Sequence, residues 1–313
     1  MKAGLPRHRD QLALVAIFAA ILILFGLLSG SFLSASTFAS VANRIPTLTL
    51  VATGMTLVLV IGGIDLSVGS VMALGGAVFA VLMVDWGWPF PAAVLGCVGV
   101  GLAVGLFNGW ITERLRVPSF IVTLGSLEAA RGLAYLCTGS QTKYLAGKVE
   151  WLARPVGGTM ISPALVLAVA AVVAAQFVLS RMVWGRQMVA IGTNEVATQL
   201  AGIRTRRVKV LVFAASGGLA GVAALCQLAR LGACDPNAGS GLELSAIAAA
   251  VIGGTSLSGG RGSVASTFLG VLIIATLESG LVHVGATEPV KRVVTGAVIV
   301  AAVLVDTWRK RRG

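Results

Sequence analysis

Ten apolar runs, each approaching the length of a membrane-spanning helix, follow one another along this chain with short polar breaks between them. They fall at about 12–30, 47–61, 66–84, 92–111, 119–137, 161–180, 209–228, 244–258, 263–284 and 292–307. A bilayer core about 30 Å thick takes about 20 residues of helix, and lipid leaves only helices or closed barrels as ways of satisfying the backbone. The runs are continuous and do not alternate every second residue, which excludes a barrel. The expected fold is therefore an all-α integral membrane protein of about ten transmembrane helices with short loops, a single transmembrane domain over residues 1–313. Composition agrees: the 313 residues are 57% hydrophobic and 12% charged, with a mean hydropathy of +0.93. A soluble domain carries about twice that charge, and no room remains for one of any size.

The net charge of +12 would suggest nucleic acid in a soluble protein. Here the basic residues gather in interhelical loops and at the two ends, so they report orientation and lipid contact, and no nucleic-acid partner is expected. Residues 1–11 carry Lys2, Arg7 and Arg9 ahead of the run from Leu12 to Leu28. The pattern resembles a secretory signal with cleavage after Ala35; the many later spans favour an uncleaved first helix starting in the cytoplasm. With the N-terminus inside, the inside segments hold those three together with Arg114, Arg116, Arg181, Arg186, Arg204, Arg206, Arg207, Lys209, Arg261, Arg309, Lys310, Arg311 and Arg312. That is 16 of the 24 Lys and Arg, so both termini are expected in the cytoplasm. The second and eighth spans are short and end in glycines, and a re-entrant course for either would shift the parity. On the outside, Trp86 and Trp88 read as headgroup-level anchors, followed by a longer loop from Thr138 to Thr159.

Within this apolar chain, VIGGIDLSVGSV at 60–71 places an aspartate between the Gly62–Gly63 pair and Gly69. Asp65 sits either in a tight bend at the membrane surface or in a broken helix facing a polar cavity. Gly62, Gly63 and Gly69 permit the irregular backbone either reading needs. VIGGIDLS echoes VIGGTSLS at 251–258, and paired interrupted segments in two halves are one mark of a transport site. Both segments run in the same direction, so the echo is a parallel repeat or a coincidence of glycine-rich sequence. Gly101, Gly105 and Gly109 share a helix face, as do Gly217 and Gly221; this spacing serves close helix packing or a hinge.

Motifs of chemistry are missing. No phosphate-binding G-x-x-x-x-G-K-[ST] occurs, and the glycine cluster at 253–263 lacks the lysine. There is no H-E-x-x-H and no nucleophile elbow, and Cys97, Cys137, Cys226 and Cys234 lack metal-ligand spacing. An enzyme, a resident cofactor, a metal and structural disulfides are therefore not expected. The largest inside loop, residues 181–209, is amphipathic at its centre: Val196, Leu200 and Ile203 share a helical face beside Glu195 and Gln199. Such a helix docks into a groove on a cytoplasmic partner, or lies on anionic lipid through Arg204, Arg206 and Arg207.

Four segments carry a family resemblance: GGIDLSVGS (62–70), GLFNGWITERLRVPSFIVTLGSLEAARGLAYLCTGS (105–140), GRQMVAIGTNEVATQLAGIRTRRVKVLVFAASGGLAG (185–221) and ELSAIAAAVIGGTSLSGGRGS (243–263). Together they resemble the permease subunits of bacterial monosaccharide ABC importers of the ribose type, over nearly the whole chain. The resemblance implies a multi-pass subunit of the bacterial inner membrane that pairs with a second permease copy or paralogue around a translocation path. It would receive sugar from a periplasmic sugar-binding protein and be driven by a separate cytoplasmic ATP-binding subunit. The segment with Asn194, Glu195, Ala197, Gly202 and Arg204 is similar to the ATPase-coupling loop of such permeases. It departs from their pattern in having Val196 after the glutamate and its glycine seven residues on instead of six.

A sugar crossing the bilayer must exchange water hydrogen bonds for protein ones. The polar residues available for this are Asp65, Ser67, Asn108, Thr123, Ser126 and Glu128. Each also has a structural reading: Glu128 pairing with Arg131, Asn108 and Thr123 bonding between helices, Glu278 satisfied in the same way. The rival functions are a secondary carrier coupled to protons or sodium through Asp65 and Glu128, and a scaffold or sensor without transport.

Overall fold

The computed structural model describes the backbone of residues 8–157 and 159–312, and side chains other than those of 8–11, 288, 299, 302, 303 and 305–312. The charges expected inside at Lys2, Arg7, Arg9, Arg309, Lys310, Arg311 and Arg312 lie outside those descriptions. The described chain is a helical bundle: α1 (His8–Leu28), α2 (Ala35–Val60), α3 (Val68–Ala80, continued by a π turn at Val81–Asp85), α4 (Phe90–Leu115), α5 (Ser119–Thr138) and α6 (Pro163–Arg181). After these come α7 (Val183–Thr193), α8 (Glu195–Leu200), α9 (Thr205–Leu231), α10 (Leu242–Ile252), α11 (Val264–His283) and α12 (Glu288–Arg312). Extended structure among the described residues is one antiparallel pair, Lys143–Tyr144 with Ala233–Cys234.

Among the described residues, seven helices are long and apolar enough to cross a membrane: α2, α3 with its π turn, α4, α5, α6, α9 and α11. These answer seven of the ten runs. The second span begins earlier than hydropathy suggests, because Asn43 and Arg44 interrupt the apolar run without interrupting the helix, and Pro46 is accommodated inside it. The eighth is the reverse case: α10 has eleven residues, about 16 Å at 1.5 Å per residue, roughly half a hydrocarbon core.

The core is built around α2, which α6, α9, α10 and α11 enclose. Along its length Leu50, Val51, Ala52, Met55, Val58 and Leu59 are buried. Helices α4, α5 and α6 instead turn large apolar side chains outward, including Leu95, Phe107, Leu124, Leu136, Val173 and Phe177, the face a lipid-exposed helix presents.

The glycine stripes on α4 and α9 are a packing device. A Cβ on Gly101 or Gly105 would overlap the carbonyl oxygen of Gly217 or Phe213, one on Gly217 would overlap the Gly101 carbonyl, and one on Gly109 would lie 2.8 Å from the Val210 Cα. The two backbones touch along three turns, and the Cys97 thiol donates to the Gly221 carbonyl at 3.2 Å. The two interrupted segments are also alike in form. At the end of α2 the Gly62 and Gly63 amides donate to the Leu59 and Val58 carbonyls; at the end of α10 those of Gly254 and Thr255 donate to Val251 and Ala250. Both are Schellman caps, with Gly62 (φ 79°) and Gly254 (φ 85°) in the left-handed position, the second one residue later in the repeat. Their loops meet, the Gly260 amide donating to the Val60 carbonyl at 2.9 Å.

Because the α4–α9 contact is backbone on backbone, Gly217→Ala should destabilise the purified protein by about 1–3 kcal/mol, as overpacking does. Gly99→Ala, on the open side of α4, should be near neutral. Thermal unfolding in detergent measures both, and equal midpoints would remove the packing role.

Candidate functional site

The stretch from Ile61 to Ser67 breaks the helical path between α2 and α3 inside the bundle, so its backbone groups need partners other than water. The first turn of α5 supplies them. The Ser119 hydroxyl accepts from the Ile64 amide at 3.0 Å; the Thr123 hydroxyl accepts from the Leu66 amide at 3.1 Å and donates toward the Ile64 carbonyl at 3.2 Å. Asp65, 1% exposed, lies in this break and not in a solvated turn. Its Oδ1 accepts from the Ser67 amide at 3.1 Å and the Ser67 hydroxyl at 2.6 Å, and its Oδ2 accepts from the Ser216 hydroxyl of α9 at 3.0 Å.

The network continues outward from that carboxylate. Asn108 of α4 donates through Nδ2 to Ser67 Oγ at 3.0 Å, and the Ser126 hydroxyl of α5 donates to Asn108 Oδ1 at 2.5 Å. Five of the six residues expected along a path, Asp65, Ser67, Asn108, Thr123 and Ser126, are thus brought together. All are buried. They tie the break to α4, α5 and α9. Among the described residues, no Lys, Arg or His pairs with Asp65. Glu128, the sixth, is exposed on α5 away from the group. Its expected partner Arg131 donates instead to the carbonyls of Pro236 and Ala238, at 2.5 and 2.8 Å. Ser119 and Ser216 are the members that sequence alone does not single out; Ser216 stands 151 positions from Asp65 in a stretch whose glycines claim the attention.

A second assembly projects from the end of the bundle where α2 terminates. Helices α7 and α8 form an arm between α6 and α9. Asn194 caps α8, its side chain accepting from the Ala197 amide at 2.9 Å. Gly202, at φ 83°, lets the chain turn back toward α9. Asn194, Ala197, Gly202 and Arg204 are exposed, as are Val196 (67%) and Leu200 (84%) on the apolar face of α8. Glu195 behaves differently. Lys209 Nζ of α9 lies 3.0 Å from Glu195 Oε2 and 2.5 Å from Glu113 Oε1 at the end of α4, so one ammonium clamps the arm to two helices.

The arm also bears on the break. Gly192, in the last turn of α7, lies so close to the α2 terminus that a Cβ there would overlap the Val60 carbonyl and the Gly260 amide. Val60 is five residues from Asp65, and Gly62, which turns the chain between them, packs against Gly259 of the other interrupted segment. Backbone contacts thus run from the arm to the end of α2, beside the buried polar group. Lys209, Glu113 and Gly192 carry no motif, and only the fold brings them together. As a chemical site the arrangement is one of fixed hydrogen bonds and steric contact. Among the described residues, no three of His, Cys, Asp and Glu gather as metal ligands.

Known proteins share this arrangement of sequence. Residues 37–303 match the family described as branched-chain amino acid transport system / permease component. The ribose import permease of Escherichia coli (strain K12) is 36% identical, over 99% of this chain and 96% of its own length. The ribose import permease of Bacillus subtilis (strain 168) is 38% identical, over 91% and 89%. The xylose transport system permease of Escherichia coli (strain K12) is 34% identical, over 96% and 92%. A scaffold without transport and an ion-coupled carrier are set aside by this kinship, and the chain belongs to the family of transport-system permease components that includes the ribose-type import permeases.

Proposed function

We propose that this chain is the membrane-spanning permease subunit of an ATP-binding-cassette importer that carries a monosaccharide, of the pentose class, across the bacterial inner membrane. Near-full-length similarity to import permeases for ribose and xylose carries the reading. The family description names branched-chain amino acids, but the relatives cited above are named for ribose and xylose. The polypeptide has no phosphate-binding motif of its own, so ATP is hydrolysed by a separate cytoplasmic subunit. A periplasmic sugar-binding protein delivers the solute, and a second permease copy or paralogue completes the path.

In this reading α1, α10 continued by the 253–260 loop that reaches the α2 terminus, and α12 join the seven longer spans to make ten crossings, with both termini and the α7–α8 arm in the cytoplasm. The arm, within residues 181–209, is the coupling loop. Its exposed apolar residues Val196 and Leu200 enter a groove on the ATPase, while Asn194, Ala197, Gly202 and Arg204 shape and flank the contact. Glu195 holds the arm to α9 and α4 through Lys209. Closure of the ATPase moves the arm, Gly192 transmits the movement to the α2 terminus, and the break around Asp65 changes its packing. Asp65, Ser67, Asn108, Thr123 and Ser126 then line the path when it opens, with Glu128 at its edge on α5. Their hydroxyl, amide and carboxylate groups exchange hydrogen bonds with the passing sugar, and weak binding lets it leave.

Liposomes holding the purified chain alone should take up no ribose or xylose under a proton or sodium gradient. Uptake should require the ATPase, the binding protein and ATP; gradient-driven uptake by the lone chain would refute the importer. Leu200→Asp should abolish co-purification with the ATPase while leaving membrane insertion intact, and retention of the ATPase by that variant would remove α8 from the contact. Asp65→Asn, which keeps the size of the side chain, should lower ATP-driven uptake at least tenfold with the fold retained. Undiminished uptake would leave Asp65 as a structural pin only.

A further inference from the structure

At the end of the bundle away from the α7–α8 arm, α2, α9, α10, α11 and α12 surround a cavity of about 450 Å³. Its volume lies in the range of small-molecule sites, about 300–1,000 Å³. None of the residues discussed above as path or coupling groups lines it. Four of its lining residues are cationic, Arg44, Arg230, Lys291 and Arg292, against one carboxylate, Glu278. Glu278 engages Arg44 at 3.2 Å, and Arg230 reaches the Gln227 side-chain oxygen at 3.2 Å. The first turn of the half-length helix α10, from Leu242 to Ser245, forms another wall. Its amide dipoles add positive potential of the kind that draws anions to discontinuous membrane helices. The one acidic residue of that turn, Glu243, is not in the lining, and its Oε2 lies against Gly69 of α3.

Thr47 lines the cavity, but its own Oγ1 is enclosed by the surrounding packing and has no hydrogen-bond partner among the described residues. Ser240, Ser245, Thr295 and Gln227 add further hydroxyl and amide groups to the walls. The lining therefore combines guanidinium groups, which match multi-oxygen anions in a fixed fork, with donors and acceptors suited to hydroxylated carbon.

We infer that this cavity binds a phosphate attached to a polyol, the chemistry shared by an anionic glycerophospholipid headgroup and a soluble polyol phosphate. The guanidinium groups take the phosphate, and the Ser240, Ser245 and Thr295 hydroxyls take the polyol. The site is separate from the Asp65 group and does not depend on what the transporter carries.

The full chain in phosphatidylcholine nanodiscs, titrated with glycerol-3-phosphate and followed by its thermal unfolding midpoint, tests the soluble source. Nanodiscs containing phosphatidylglycerol, with retained lipid counted by native mass spectrometry, test the lipid source. Stabilisation or retention is expected in at least one arm, and which arm responds identifies the source. Replacing Arg230 and Arg292 by Gln together should weaken that binding at least tenfold, the arginine-to-lysine pair should restore part of it, and Ser245→Ala should weaken it by a smaller factor. Free glycerol should not stabilise the chain. No response in either arm, a response untouched by the glutamine pair, or an equal response to glycerol overturns the inference.

Discussion

A chain that interrupts a helix inside a membrane protein must find hydrogen-bond partners for the backbone it exposes, and the arrangement of this bundle follows from how that need is met at residues 61–67. Hydroxyls of α5 take the Ile64 and Leu66 amides, and glycine at position 62 closes the end of α2 on its own carbonyls. Once α5 is committed to the break, α4 and α9 are drawn in through Asn108 and Ser216. Each donor in the sequence Ser126, Asn108, Ser67 points toward the Asp65 carboxylate, an alignment in which successive bonds polarise one another. The carboxylate is held by neutral donors, so the break stays uniquely packed without burying a second charge beside it.

Close backbone approach does the mechanical work. Where α4 meets α9, and where α7 meets the ends of α2 and the 259–260 loop, glycines remove the side chains that would otherwise cushion one element against another. Apolar side chains absorb small displacements by changing rotamer; touching backbones do not. The arm is thus rigidly connected to the break while its far face remains open to a partner. Fold and proposed function rely on the same small residues.

Much of this was legible from sequence because lipid imposes a strong pattern. Apolar length located seven of the long helices, the Gly62–Gly63 pair located the break, and the period of Val196 and Leu200 located the outward face of α8. What hydropathy could not convey was where a helix begins when it starts among polar residues: Asn43 and Arg44 lie inside α2, because the Arg44 charge is met by Glu278 across the bundle. Nor could it give the true length of α10, whose apolar run extends past Ile252 into a turn that only the Schellman geometry reveals. The partners of Asp65 and of Glu195 were hidden for a common reason. Serine and lysine carry no periodic signal, and Ser216 and Lys209 acquire meaning only when α9 is laid beside the break and the arm. Glu195, placed in the coupling segment from sequence, also pairs with Lys209 of α9, while Val196 and Leu200 beside it stand out from the arm.

The ammonium shared by Glu113 and Glu195 has a consequence for reversibility. Were Lys209 bonded to Glu195 alone, detaching the arm would leave a half-buried cation bare and the motion would be steeply uphill. With Glu113 at 2.5 Å on the other side, the cation keeps a counter-ion throughout, and what changes hands is only the partly hydrated Glu195 carboxylate. In the coupling proposed above, the fastening acts as a detent that yields under load and re-engages afterwards, the property required of a joint that must cycle many times without wear.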